Sequence, residues 1–228
     1  MPKRQIEFIN GEIYHIITRG VEQRRIFMND QDYWRGIFSL YEFNDDSSVT
    51  IRDRRSKRIS ANRGRASVIF EEEGGRNTLV EILAFVFMPN HIHLLLCQEK
   101  EEGISRFLQK LNTGYARYFN EKYKRVGPLF QGRFKASRVE GNEYLKTLFV
   151  YIHTNPIGII EPGWKERGIK DVEKAKEFLE DYRWSSYLDY LGHNNFPSLT
   201  KRDFLNNTFE EKERMISFVS DWINYKKA

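Results

Sequence analysis

Residues 87–96, FMPNHIHLLL, place two histidines two positions apart inside an otherwise apolar run. In a β-strand, residues i and i+2 point to the same face, so His91 and His93 should present their imidazoles side by side. Two neutral imidazoles on a stiff strand form half of a metal site. The alternative is a pair of core histidines, each hydrogen-bonded to a backbone carbonyl, and the spacing alone leaves both interpretations open.

The pattern on either side of this stretch predicts an α+β fold. Pro89 and Asn90 join two strands tightly, and Asn29 or Asp30 is expected to cap the first helix. The predicted strands span residues 12–18, 79–87, 91–98 and 134–139. The predicted helices outside the segment discussed next span residues 30–41, 104–124, 171–182 and 209–225. This order indicates an antiparallel sheet with helices on one side, an insertion after the first helix and a helical C-terminal extension.

A second segment, EYLKTLFVYIHTNP at residues 143–156, has the i, i+3, i+4, i+7 pattern of an amphipathic helix that ends at Pro156. Its apolar positions are Leu145, Leu148, Phe149 and Ile152. Tyr144, Tyr151 and Asn155 form a stripe along the flank of that face. A tyrosine hydroxyl and an amide oxygen could therefore face the histidine pair, although Tyr151 could equally be an ordinary half-buried tyrosine and Asn155 a helix C-cap.

Five motifs in this order resemble the HUH (His–hydrophobic–His) single-tyrosine transposases, and most closely their REP-associated tyrosine transposase branch. They are YHIITRG at residues 14–20, MPNHIHLL at 88–95, GPLFQGRFK at 127–135, YIHTNP at 151–156 and YRWSSY at 182–187. The resemblance implies a ferredoxin-like or RRM-like core. It further implies that His91, His93 and Asn155 hold a divalent cation, Mg²⁺ or Mn²⁺, and that Tyr151 is the nucleophile. Tyr144, which shares the stripe but does not match the family pattern, is the rival tyrosine.

The chemistry that the resemblance implies is cleavage and rejoining of single-stranded DNA, on hairpin or palindromic substrates, through a 5′-phosphotyrosine intermediate. A different class of function, a non-catalytic and host-recruited DNA-hairpin-binding protein or repressor, is compatible with the same fold. A metal-binding domain without a DNA role is a third, weaker interpretation.

The charge distribution agrees with a nucleic-acid partner. The chain has 37 Lys and Arg against 32 Asp and Glu, a formal net charge of +5 and a pI of about 9.1. Seven basic residues crowd residues 52–65, either as a DNA contact or as a solvated loop. A second basic cluster is interleaved with aromatic side chains on which bases could stack. The predicted DNA-binding residues are Arg19, Arg117, Lys122, Lys124, Arg125, Phe130, Arg133, Phe134, Lys135 and Arg138.

The length of 228 residues suits one transposase domain over residues 1–195, with a basic inserted arm at 44–77, and a helical extension over 196–228. Within the arm, residues 68–70 could form one strand of a hairpin. The single cysteine, Cys97, cannot form an intrachain disulfide and is expected to be a core residue rather than a ligand. No secretion signal or apolar membrane-spanning run is apparent, so we expect a cytoplasmic protein. With the family resemblance, we expect it to be prokaryotic and nucleoid-associated. A monomer is favoured over a homodimer.

Overall fold

Four antiparallel strands form the sheet in the computed structural model, which describes residues 6–51, 54, 76–208 and 212–228. The strands are β1 (Ile13–Arg19), β2 (Val80–Met88), β3 (His91–Gln98) and β4 (Lys135–Arg138). Their spatial order is β2-β3-β1-β4, so β3 and β1 are the central strands and β2 and β4 form the edges. All four predicted strands are present, with bounds that differ from the prediction by no more than one residue.

The pairing of β1 with β3 determines which side chains meet at the centre of the sheet. Ile17 lies opposite His93 and Arg19 lies opposite His91. Pro89 and Asn90 form the tight connection between β2 and β3 that the sequence predicted. A β-bulge between Ile82 and Ala84 adds one residue to β2, so Leu83 and Ala84 both belong to the same core cluster and the alternation shifts by one position.

Two helices, α1 (Asp30–Phe43) and α2 (Gly103–Lys122), cover one face of the sheet. Asn29 caps α1 as predicted, since its side chain accepts a hydrogen bond from the Asp32 backbone N–H. The apolar core under these helices is shielded from solvent. Its fully buried members include Tyr14, Ile16, Phe27, Ile37, Phe85, Phe87 and Phe107.

The other face is covered by α3 (Asn142–Thr154) and by the helices that follow it. These are α4 (Ile157–Ile160), α5 (Trp164–Arg167), α6 (Val172–Asp181), α7 (Tyr187–Leu191), α8 (Arg202–Thr208) and α9 (Lys212–Tyr225). Val219 and Ile223 of α9 are buried in the same cluster as Phe149 of α3. The C-terminal extension therefore packs on the core beside the predicted tyrosine helix.

The predicted α+β class with an antiparallel sheet is confirmed. The sequence predicted helices on one side of the sheet. In the structure α1 and α2 lie on one face, and α3 and the C-terminal extension lie on the other. Most of the predicted arm, including the possible strand at 68–70, falls outside the described residues. No helix in the described part of the chain has the length and apolar character needed to cross a bilayer.

Candidate active site

Two histidines on neighbouring strands contact each other on the α3 side of the sheet. His15 of β1 pairs in register with Leu95, which puts it diagonally across from His93 of β3. The two rings are stacked with centroids 5.1 Å apart, and His15 Nε2 lies 2.9 Å from His93 Nδ1. Both side chains are buried, so this hydrogen bond satisfies one polar atom of each ring.

His91 lies at the start of β3, with its ring centroid 4.8 Å from that of His93. Its Nδ1 is 2.6 Å from Asn90 Oδ1, and the Asn90 amide nitrogen donates to the Gln23 carbonyl. Since an amide oxygen only accepts, His91 Nδ1 carries the proton and its Nε2 keeps a lone pair. The contact with His15 Nε2 likewise engages His93 Nδ1, whichever of the two nitrogens donates, and leaves His93 Nε2 outside that hydrogen bond. The contacts thus leave the Nε2 atom of both histidines as the one available to a ligand.

Burial keeps these imidazoles neutral at physiological pH. It lowers the pKa of His91 to about 4, with a further contribution from the positive charges of Arg19 and Lys165. The pKa of His15 is lowered to about 4 by burial. Burial, with the neighbouring His91 and His15, also brings the pKa of His93 well below 6.5. A neutral imidazole is the form that binds a metal ion.

Tyr151 of α3 faces this histidine cluster. Its ring centroid is 5.5 Å from that of His93 and 6.1 Å from that of His15, in both cases edge to face. The helix is held against the sheet by Phe149 and Ile152, both fully buried. Tyr144 lies two turns earlier, is 42% exposed and has no ring contact with the histidines among the described residues. The geometry therefore favours Tyr151 over its rival.

Asn155 follows α3 at its C-terminal end, as the sequence predicted, and is buried. Its amide nitrogen donates to the Tyr151 carbonyl at 2.6 Å, which orients the side chain. Its Oδ1 accepts a hydrogen bond from Lys165 Nζ at 2.9 Å. The same ammonium lies 4.2 Å from the centroid of the Tyr151 ring. In this structure the predicted amide ligand is therefore engaged with a lysine.

The donor set available for a metal ion is mixed. Within the described ranges, no group of three or more histidine, cysteine or carboxylate side chains is arranged to hold one. Burial and nearby acids raise the pKa of the half-buried Cys97 to about 11, so this thiol stays protonated. Two imidazole nitrogens and one amide oxygen, completed by water and phosphate oxygens, are compatible with Mg²⁺ or Mn²⁺.

The predicted DNA-binding side chains divide into two groups. Those that are exposed are Arg19, Arg117, Lys124, Arg133, Lys135 and Arg138. Those that are half-buried are Lys122, Arg125, Phe130 and Phe134. Arg19 lies at the end of β1 beside His91, and Lys135 and Arg138 lie on the edge strand β4. Arg138 is ion-paired with Glu12 at 2.7 Å.

The half-buried group is tied into the fold. Lys122 Nζ lies 2.6 Å from the fully buried carboxylate of Asp32 and neutralises it. Arg125 donates to the Asn120 side chain. Phe134 stacks on Phe8, with ring centroids 6.2 Å apart. These contacts show that Lys122, Arg125 and Phe134 have structural partners within the chain.

Three residues of the site were not predicted to act there, namely His15, Asn90 and Lys165. His15 and Asn90 lie within the quoted motifs, but no local spacing connects His15 with His93, because the contact depends on strand pairing across 78 positions. Lys165 comes from α5, outside the five motifs, and no pattern in the sequence indicated it.

Comparison with known proteins found a match to one family model and to solved structures. The sequence model of the IS200-like transposase family matches residues 48–155. No curated protein matches the chain. One similar solved structure is a REP-associated tyrosine transposase bound to a REP hairpin, with 16% identity, a TM-score of 0.47 and coverage of 86% of this chain and 89% of that one. A second is a putative transposase from Deinococcus radiodurans R1, with 15% identity, a TM-score of 0.33 and coverage of 64% and 93%. Over residues 48–155 the chain is therefore similar to the IS200-like transposases, the wider group that its motifs indicated.

Proposed function

We propose that the protein cleaves and rejoins single-stranded DNA with Tyr151 as nucleophile and a divalent metal ion at His91 and His93. The observation that carries the proposal is the convergence of these groups. The His91 and His93 rings are 4.8 Å apart, and the Tyr151 ring is 5.5 Å from that of His93.

The metal site proposed here uses the Nε2 atoms of His91 and His93 and the carbonyl oxygen of Asn155. A bound Mg²⁺ or Mn²⁺ supplies positive charge next to the scissile phosphate. The protein holds the two imidazoles neutral by burial and orients them through the partners of their Nδ1 atoms. Outer partners of this kind maintain both ring orientation and ligand basicity.

In the proposed reaction the Tyr151 hydroxyl loses its proton, and its oxygen attacks the phosphorus. The bond from phosphorus to O3′ breaks, and O3′ takes up through solvent the proton that Tyr151 released, giving a 5′-phosphotyrosine and a strand that ends in a free 3′-hydroxyl. The energy of the phosphodiester is retained in the new phosphodiester to tyrosine. A 3′-hydroxyl from another end can therefore attack that linkage, release Tyr151 and rejoin the strands.

We infer that the substrate is single-stranded DNA with a hairpin, following the motif resemblance. The basic side chains Arg19, Lys124, Arg133 and Lys135 support a phosphate-binding surface, because their cations are exposed to solvent, where phosphate oxygens could reach them. Arg19 connects this surface to the site, since it lies opposite His91 in the strand register.

A covalent-adduct assay tests the proposal. Labelled hairpin DNA is mixed with protein in Mg²⁺, Mn²⁺ or chelator, and the products are separated on a denaturing gel. We expect a metal-dependent protein–DNA adduct that is lost in Tyr151→Phe and retained in the matched control Tyr144→Phe. Loss in the control alone would transfer the nucleophile to Tyr144. Tight hairpin binding without any adduct would favour the non-catalytic binder instead.

A further inference from the structure

Lys165 contacts two groups of the candidate active site, and the proposed reaction assigns it no part. Its ammonium donates to Asn155 Oδ1 at 2.9 Å and lies over the Tyr151 ring at 4.2 Å from the centroid. It extends from the short helix α5, whose first residue, Trp164, is buried against Trp222 of α9 with ring centroids 5.3 Å apart. The backbone that carries Lys165 is therefore anchored, although the side chain itself is exposed.

We propose that Lys165 is a latch: its ammonium competes with the divalent metal ion for the Asn155 carbonyl oxygen, and on metal entry it turns to the scissile phosphate beside Tyr151. This inference rests on the proposed function. It adds a residue that would contact the substrate phosphate, and it links binding of the metal ion to binding of DNA.

The orientation of Asn155 supports the first half of the latch. Its amide nitrogen is held by the Tyr151 carbonyl, so the oxygen has a set direction, and the group found in that direction is Lys165. A metal ion that takes this oxygen would meet an ammonium at hydrogen-bond distance. Two cations so close repel each other, so the lysine must leave when the metal ion arrives.

The position of Tyr151 supports the second half. Once released from Asn155, the ammonium remains next to the tyrosine whose oxygen would attack the phosphate. A phosphate bound there would offer the ammonium anionic oxygens in place of the neutral amide oxygen of Asn155. Lysine is a common ligand for phosphate groups as a point charge, so it needs no fixed geometry to make this change.

The test combines two measurements on the full-length protein that should move in opposite directions. Mn²⁺ affinity is measured by isothermal titration calorimetry without DNA, and the rate of adduct formation is measured at saturating Mn²⁺. We expect Lys165→Met to bind Mn²⁺ about three- to tenfold more tightly, as a partly exposed charged hydrogen bond is removed, and to form the adduct several-fold more slowly. The control Lys174→Met, at an exposed position on α6, removes the same charge and should change neither value.

Lys165→Arg keeps the charge and should retain both the wild-type Mn²⁺ affinity and most of the rate. A purely structural role for Lys165 would lower both affinity and rate in Lys165→Met, which would overturn the latch. Unchanged Mn²⁺ affinity in Lys165→Met would also overturn it, while a normal wild-type adduct would leave the proposed function standing. If neither wild type nor Lys165→Met binds Mn²⁺, the latch fails together with the proposed metal site.

Discussion

The two faces of the sheet use the same strands for different purposes. On the face under α1 and α2, Ile16 and Phe87 are fully buried among apolar side chains. On the face under α3, the neighbour of Ile16 in sequence, His15, contacts His93 and lies beside Tyr151. Because successive residues of a strand point to opposite faces, one strand contributes both to an apolar core and to the candidate active site.

The strand residues compared here are buried on both faces, but those on the α3 side include polar imidazole rings. A buried polar ring costs free energy where its nitrogens are unpaired, and the His15–His93 and His91–Asn90 contacts pair one nitrogen of each of these three rings. On the other side, α1 holds one such buried group, the Asp32 carboxylate that Lys122 neutralises, and the strand residues beneath it are apolar. We infer that the apolar face supplies most of the stability and the histidine face most of the chemistry, and the following predictions test that division.

The largest expected effect is on chemistry. His91→Ala removes a proposed metal ligand, so we expect metal-dependent cleavage to fall by more than the roughly 10- to 100-fold loss typical of outer-sphere partners. Hairpin binding, measured by fluorescence anisotropy, should remain near wild type because the phosphate contacts are elsewhere. His193→Ala, at an exposed position, is the control. Cleavage that survives in His91→Ala would show that the metal assignment is wrong.

The next effect is on stability. Ile16→Ala creates a cavity in the apolar face and should lower the free energy of unfolding by about 2–5 kcal/mol, against about 0.5–1.5 kcal/mol for Ile16→Val. Urea denaturation measures both. The folded fraction of each variant should keep its rate of adduct formation. If Ile16→Ala lowered the rate of adduct formation without lowering the free energy of unfolding, the assignment of stability to the apolar face and chemistry to the histidine face would be wrong.

A smaller effect is expected one residue away on the opposite face. His15→Phe keeps the ring but removes the nitrogen that pairs with His93 Nδ1, so we expect Mn²⁺ affinity to fall about 10- to 100-fold. Stability should change less than in Ile16→Ala. Calorimetric titration and urea denaturation on the same preparation compare the two. Wild-type affinity in His15→Phe would show that His15 does not orient His93.

The smallest effect is on the pH dependence of stability. Burial lowers the pKa of His15 from 6.5 to about 4, so between these values the unfolded chain takes up a proton that the folded protein does not. Its contribution to stability is present above pH 6.5 and is lost as the pH falls toward 4. Removing this one group in His15→Phe should flatten the fall in unfolding free energy by at most about 1.4 kcal/mol per pH unit. Parallel curves for the two proteins would contradict the assignment.

The sequence predicted the parts of the molecule that depend on local pattern. The alternation around His91 and His93 predicted β3 with its observed bounds, and the periodicity of the segment ending at Pro156 predicted α3 and the side of it that carries Tyr151. These features follow from spacing within a single element, where strand and helix geometry convert sequence position directly into direction.

The parts that were missed depend on contacts between distant elements. The diagonal approach of His15 to His93 requires the register of β1 on β3, and the contact of Lys165 with Asn155 requires the packing of Trp164 against α9. The sequence also predicted helices on one side of the sheet and left open what the C-terminal helix contacts. In the structure, Val219 of this helix is buried in the same apolar cluster as α3. That contact depends on the tertiary fold, and no local sequence pattern specifies it.

The most direct test of the central claim is to identify the residue that becomes attached to DNA. The adduct formed with Mn²⁺ and hairpin DNA is digested with nuclease and protease, and the modified peptide is sequenced by mass spectrometry. We predict a nucleotide 5′-phosphate on Tyr151. A phosphate on Tyr144 or another side chain, or attachment through a 3′-phosphate, would contradict the account.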